Sequence, residues 1–263
     1  MELRLFQIDA FASEVFRGNP AAVCPLNSWL ADRVLQAIAE ENNLAETAFF
    51  VPASSGFELR WFTPRLEVDL CGHATLASAY VIFSELQRER ESVEFSSRSG
   101  PLFVRRNGEM LTMDFPAWSL RSVDRAPDAL LEGLRTQPRE VFLVTPGTNY
   151  FCVYGSEAEV LSLRPDFTKL EELHPYGVIV TAPGDHSDCA TRYFAPSYGI
   201  PEDPVTGSIH SALTPYWANR LKKNKIHARQ ISARGGELFC EDKGNRVLIS
   251  GRAAKYLEGT IHI

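Results

Sequence analysis

The chain has 263 residues, 44% hydrophobic and 23% charged, with a formal net charge of −6. That is a soluble globular composition, long enough for one large domain or two of about 130 residues. It contains no apolar run near the roughly 18 residues a membrane helix needs, so no membrane partner is expected. An acidic balance without a basic stripe speaks against nucleic acid as a partner.

In chain order, residues 3–11 alternate like a strand, with no basic head or apolar block of a secretory signal. Residues 20–26 read as a second strand. A helix is expected over 29–40, opened by Ser28 as N-cap, with Leu30, Val34 and Ile38 on one face. Strands follow at 46–52 and 57–63. Residues 72–87, rich in Ala, Leu and Ser, read as a buried helix. Three short strands come next, near 92–97, 101–106 and 109–115. Pro116 to Pro127 breaks the pattern and reads as a link between domains. Strands are then expected at 139–145 and 149–155, and helices at 156–162 and 166–173. Strands at 176–182 and 188–195 lead to a helix at 207–220. Strands at 229–233, 237–241, 245–250 and 258–263 close the chain.

Residues recur along with elements. Arg60-Trp61-Phe62-Thr63-Pro64 returns 132 residues on as Arg192-Tyr193-Phe194-Ala195-Pro196. The block Phe95 to Phe103 returns 136 residues on as Ile231 to Phe239, and Gly108 keeps that spacing at Gly244. Two blocks with nearly equal spacing, in matching element order, indicate a duplicated unit rather than a repeat array. The expected division is 1–116 and 127–257, with the last strand, 258–263, returning to the first domain. Ligand pockets favour such domain interfaces.

In each half a glycine leads into a helix: Leu70-Cys71-Gly72-His73-Ala74-Thr75 and Glu202-Asp203-Pro204-Val205-Thr206-Gly207-Ser208. Free N–H groups and the helix dipole at such starts suit an anionic group, although ordinary capped helices begin in the same way. The halves differ at one chemical position. Cys71 precedes Gly72, whereas Thr206 precedes Gly207. A racemase with two thiols is therefore disfavoured, because a Thr hydroxyl is a far poorer base than a thiol. Cys71 itself reads as a small buried residue or as a single thiol base.

Proton-transfer candidates are Glu46, His73 and Asp203. Glu46 begins an apolar strand, where burial would raise its pKa toward that of a general acid/base; alternatively it is an edge carboxylate. His73, at a helix start, is expected to be neutral imidazole because the dipole opposes its protonation. Asp203 is either a functional or a turn-capping carboxylate. Five widely spaced cysteines without CxxC spacing suggest neither a disulfide framework nor a zinc site, and a reducing cytoplasm is expected. Asp185-His186-Ser187-Asp188 reads as a solvated turn, so no metal is expected.

Four motifs together resemble the phenazine-biosynthesis isomerase (PhzF-like) family, which is related in fold to diaminopimelate epimerase. They are Phe16-Arg17-Gly18-Asn19-Pro20-Ala21-Ala22-Val23, Leu44-Ala45-Glu46-Thr47-Ala48-Phe49, Leu70 to Thr75, and Glu202 to Ser208. The resemblance implies an α+β fold of two pseudo-symmetric domains, each a barrel-like sheet around a central helix. It further implies a cofactor-free site between the domains and a homodimer. Glu46 then corresponds to the family's proton-shuttling Glu, supported by His73 and Asp203. Gly72, Gly207 and Ser208 correspond to the groups that hold a substrate carboxylate, and Asn19 to a further substrate contact. The expected function is isomerisation by proton transfer within a small carboxylate, the substrate itself not being carried over. The alternatives are an amino-acid epimerase using Cys71 and a non-catalytic ligand-binding protein.

Overall fold

The computed structural model describes residues 1–146 and 148–263. The chain divides into one unit of Met1–Asp114 with Ser250–Ile263, and a second of Phe115–Ile249.

In the first unit, β1 (Glu2–Ala10) and β2 (Asn19–Pro25) are followed by α1 (Asp32–Asn42), β3 (Glu46–Pro52), β4 (Phe57–Phe62) and the short β5 (Glu67–Val68). Then come α2 (Gly72–Val81), β6 (Ser92–Ser97), β7 (Gly100–Asn107) and β8 (Met110–Pro116). The closing strand, Ala253–His262, pairs antiparallel with β1 along its length. It is longer than the expected 258–263 because β1 offers it partners from Glu2 to Ala10. β1 pairs antiparallel with β2, β2 parallel with β3, β3 antiparallel with β4, and β4 parallel with β6. Strands held in parallel pairs are covered on both faces and so are apolar nearly throughout. β3 obeys this, with Glu46 to Val51 all buried.

Strand alternation then sorts side chains between two helices. Phe49 and Val51 join Leu35, Ile38 and Ala39 in the cluster beneath α1. Glu46, Ala48 and Phe50 therefore face the other way, toward α2. That helix is apolar all round and buried along its length apart from Tyr80, and it packs on β1, β2, β3 and the closing strand. α1 starts at Asp32 after Ala31, not at Ser28. The reason is tertiary: Trp29 and Leu30 pack on the core, and Trp29 Nε1 donates to Glu58 Oε2 at 2.7 Å, which holds this stretch out of the helix.

The second unit begins with β9 (Ser119–Ser122), α3 (Asp128–Leu134), β10 (Glu140–Thr145) and β11 (Asn149–Val153). It continues through α4 (Glu157–Ser162), α5 (Phe167–Glu171), β12 (Gly177–Pro183), β13 (Cys189–Ala195) and β14 (Ile200–Asp203). α6 (His210–Leu221), β15 (Lys225–Gln230), β16 (Gly236–Asp242) and β17 (Arg246–Gly251) complete it. The stretch Pro116 to Pro127 is more than a link, because β9 lies within it and pairs antiparallel with β10. Pro215 explains one contact that anchors this stretch. It has no N–H to give to Ser211, four residues back, and the Ser211 carbonyl accepts from the Trp118 N–H instead, at 2.9 Å. Leu130, Leu134, Val160, Leu170, Val178, Val180 and Phe194 form the cluster beneath α3–α5.

Internally the second unit repeats the first. β10 pairs with β9 and β11 as β1 pairs with the closing strand and β2. β11∥β12, β12–β13 and β13∥β15 match β2∥β3, β3–β4 and β4∥β6. The repeated arginines make the same contact: Arg60 grips Glu67 at 2.7 and 2.8 Å, and Arg192 grips Glu202 at 2.7 and 2.9 Å. One expected alignment shifts. Phe57 pairs with Phe95, and Cys189, the counterpart of Phe57, pairs with Ala228. The counterpart of Phe95 is thus Ala228 and not Ile231. Ser97 pairs with Gly100 but Gln230 with Gly236, so the second hairpin has a longer loop, residues 231–235.

Candidate active site

The first unit gathers Asn19, Glu46, Cys71 and His73 into one buried group. Asn19 opens β2 and Glu46 opens β3, and both side chains fall on the α2 face. Cys71 is the residue before α2, and Gly72 and His73 begin it. Gly18 sets the entry to β2. It has φ +66°, and a Cβ there would collide with the Ala10 carbonyl, so only glycine brings Asn19 into register.

His73 stands between its neighbours. Its Nε2 lies 3.0 Å from Glu46 Oε2, and its Nδ1 lies 3.2 Å from Asn19 Nδ2 and 3.5 Å from Cys71 Sγ. Among the described residues the Glu46 oxygen accepts no aligned hydrogen bond, and the 3.0 Å approach of opposite charges joins it to the ring. Burial opposes the imidazolium, but the negative charge that Cys71 and Glu46 can carry outweighs it and holds His73 well above its usual pKa. This reverses the expectation of a neutral imidazole: at 3.0 Å a carboxylate acts more strongly than the partial charge of a helix end. Burial, and then the Glu46 charge, push the Cys71 thiol up.

Asp203, Gly207 and Ser208 belong to the second unit, where they form a group of their own. Thr206 Oγ1 donates to Asp203 Oδ2. Gln230, fully buried at the end of β15, ties this turn at both ends. Its Nε2 donates to the Asp203 carbonyl at 2.8 Å, and its Oε1 accepts the Thr206 N–H at 2.8 Å. Ser232, in the lengthened hairpin loop, donates to the Pro204 carbonyl at 2.8 Å. Gly207 and Ser208 lie in a tight turn ahead of α6, which begins at His210 rather than 207. Sequence reasoning passed over Gln230, whose partners lie 24 and 27 residues away.

The positional match between the units identifies what faces each buried helix. Cys71 corresponds to Thr206 and Gly72 to Gly207. Glu46 and Gly177 each open a seven-residue strand ending in proline, and each stands beside the same parallel neighbour. A side chain at Gly177 is excluded, since a Cβ would fall on the Tyr193 hydroxyl and lie 2.7 Å from Asn149 Oδ1. Where the first unit carries a carboxylate, the second has no room for one.

Glu46, Cys71 and His73 also offer one ligand atom each within 4.8 Å of one another, a grouping of metal-binding types that their sequence spacing did not reveal. Asp188, in the turn read as solvated, accepts from Lys223 Nζ at 2.6 Å and the His227 N–H at 2.8 Å. Among the described residues no helix is long and apolar enough to cross a membrane.

Residues 8–259 match the family of phenazine biosynthesis-like proteins. The chain belongs to that family. It is 51% identical over 263 residues, 100% of both chains, to an uncharacterized isomerase of Pseudomonas aeruginosa. It superposes with a TM-score of 0.95, at 45% identity and full coverage of both chains, on the crystal structure of a PhzF-family phenazine biosynthesis protein from Enterococcus faecalis. A predicted epimerase from Pseudomonas aeruginosa shares the fold, with a TM-score of 0.78 at 19% identity over 99% of each chain. The fold of this PhzF-family chain is therefore the α+β, diaminopimelate epimerase-like one.

Proposed function

We propose that this protein is a cofactor-independent isomerase that moves a proton within a small carboxylate-bearing substrate, with Glu46 as the single acid/base. The observation that carries the reading is the one-sided distribution of bases: Glu46 is buried beside His73, while its counterpart is Gly177. Glu46 takes a proton from an acidic C–H and returns it to another carbon of the same conjugated system. His73, held as imidazolium, stabilises the carboxylate between the two transfers. Asn19, fully buried with its amide 3.2 Å from His73 Nδ1, orients the ring; turned over, its Oδ1 accepts the Nδ1–H of the imidazolium. The amides of Gly72 in the first unit, and of Gly207 and Ser208 in the second, are anion grips suited to a carboxylate and to the charge that develops on it. Asp203, locked to Thr206, shapes the second of these anion grips. In this reading the working form is a cytoplasmic homodimer.

The test is carbon-bound hydrogen exchange in deuterated water, with a panel of cyclic and amino-acid carboxylates. Wild type is expected to exchange at least one of them, Glu46→Gln none, and Cys71→Ser to retain exchange. Undiminished exchange in Glu46→Gln removes Glu46 from the base role. Loss in Cys71→Ser with Glu46 intact turns the reading toward thiol-based epimerisation. Tight carboxylate binding without exchange in wild type makes the protein a binder.

A further inference from the structure

The grouping of Glu46, Cys71 and His73 carries a second chemistry. We infer that these three side chains form a binding site for a zinc-type divalent cation, in which the ion displaces proton transfer rather than assisting it.

Donor type and spacing both support this. A thiolate, an imidazole nitrogen and a carboxylate oxygen are the three ligand classes that zinc takes, and three protein ligands with one open position is the arrangement of accessible zinc sites. His73 Nε2 is 3.0 Å from Glu46 Oε2 and 4.0 Å from Cys71 Sγ. Zn–S and Zn–N bonds of about 2.3 and 2.0 Å in a tetrahedron need donors roughly 3.5 Å apart. A swing of about 0.5 Å at the sulfur brings that pair to this spacing, and all three donor atoms already lie within 4.8 Å of one another.

The surroundings agree. Glu46 is 8% exposed and its Oε2 takes no aligned hydrogen bond among the described residues, so a buried acceptor is available to an ion. Cys71 and His73 are 7% and 5% exposed, so the group is buried without being wholly sealed from the surface. Asn19 already holds Nδ1, which leaves Nε2 for the metal. Turned over, its amide accepts from the Nδ1–H of a metal-bound ring, the outer contact that such histidines use. The two anionic ligands offset the doubly positive ion at a helix start that would otherwise repel it. On binding, the Cys71 thiol and the Nε2–H of His73 each give a proton to solvent, and the freed sulfur and nitrogen lone pairs go to the metal. No electron changes hands. Occupation ties up both Glu46 and His73.

The binding claim stands apart from the isomerase proposal, and only its inhibitory consequence rests on it. The probe is Cd²⁺ added to the metal-free protein, read by the ultraviolet thiolate-to-cadmium band and by the protons released. Wild type is expected to take up one equivalent saturably, with the band. Cys71→Ser and Cys71→Thr are expected to lose the band while keeping the wild-type circular dichroism. Asn19→Ala is expected to bind roughly 10–100-fold more weakly. Glu46→Gln and His73→Asn are expected to weaken binding at least as much. A band that persists in both Cys71 variants, or uptake that never saturates, overturns the site. Zn²⁺ is then added to an exchanging wild-type sample. Abolished exchange supports both claims. Saturable Cd²⁺ binding with unchanged exchange under Zn²⁺ overturns the inhibitory claim and removes Glu46 as the base, while leaving the binding site in place.

Discussion

Glu46 and Gly177 occupy the same position in the two units, yet one carries a buried carboxylate and the other has no space for a methyl group. Gly177→Ala is therefore expected to destabilise the protein by about 1–3 kcal/mol, the usual cost of overpacking. The closest clash is with the Tyr193 hydroxyl, which donates to Asn149 Oδ1 at 2.9 Å, and Asn149 Oδ1 and Tyr193 Cζ follow at 2.7 and 2.8 Å from the added Cβ. Tyr193→Phe removes that oxygen, so the double variant should recover part of the loss. Urea midpoints of the four proteins in a double-mutant cycle check this. Additive losses would show that Tyr193 is not the obstacle.

The sequence made much of this visible because strands buried on both faces announce themselves as apolar runs. β3, β12 and the all-round apolar α2 are of that kind, and so is the arginine motif repeated at Arg60 and Arg192. Elements held mainly by tertiary contacts stayed hidden. β9 is four residues long and is ordered by β10. α3 is seven residues with an internal glycine that packs tightly on Leu170. The position of Ala228 opposite Phe95 in the repeat emerges only from strand pairing, because the lengthened hairpin loop displaces the sequence match. Glu46 and His73 were legible as candidates. The charge state of His73 was not, since it depends on a carboxylate 27 residues away in the chain.

Gln230 is the buried tie of the Asp203–Thr206 turn. Gln230→Ala removes the partners of the Thr206 N–H and the Asp203 carbonyl together, and is expected to cost roughly 1–3 kcal/mol for the groups left unsatisfied. Gln230→Glu keeps an acceptor for Thr206 but turns the donor facing the Asp203 carbonyl into an acceptor, so it should be no better than alanine. Thermal melts rank the variants, and a wild-type melt for Gln230→Glu would contradict the assigned amide orientation.

The matched arginines depend on fork geometry as well as charge. Arg192 holds Glu202 with two nitrogens and donates to the Val160 and Leu163 carbonyls, each at 3.1 Å. A lysine ammonium cannot reproduce this planar set. Arg192→Lys is expected to cost about 1–3 kcal/mol. Arg125, paired with Asp128 at the exposed surface, serves as the control, and Arg125→Lys should change stability by less than about 0.5 kcal/mol. Equal effects from the two substitutions in guanidinium denaturation would count against a structural role for the fork.

His210 gives the protein a defined acid sensitivity. It is fully buried at the start of α6, and its Nδ1–H donates to the Thr206 carbonyl at 2.9 Å. Nε2 has no hydrogen-bond partner among the described residues. Burial pulls its pKa down to about 4, against the smaller opposing effect of the Thr206 and Gly207 carbonyls. In the unfolded chain the same ring titrates near its ordinary value of about 6.5. Between these two values the unfolded state binds a proton that the folded state refuses, so this contribution is whole above pH about 6.5 and is lost progressively as the pH falls toward about 4. The full loss is roughly 3 kcal/mol. His210→Asn keeps a donor near the Nδ1 position and removes the titration. It should start less stable than wild type at pH about 7.5 and fall less steeply below pH about 6.5. Urea unfolding across that range measures both slopes, and parallel curves would show that His210 does not report the acid transition.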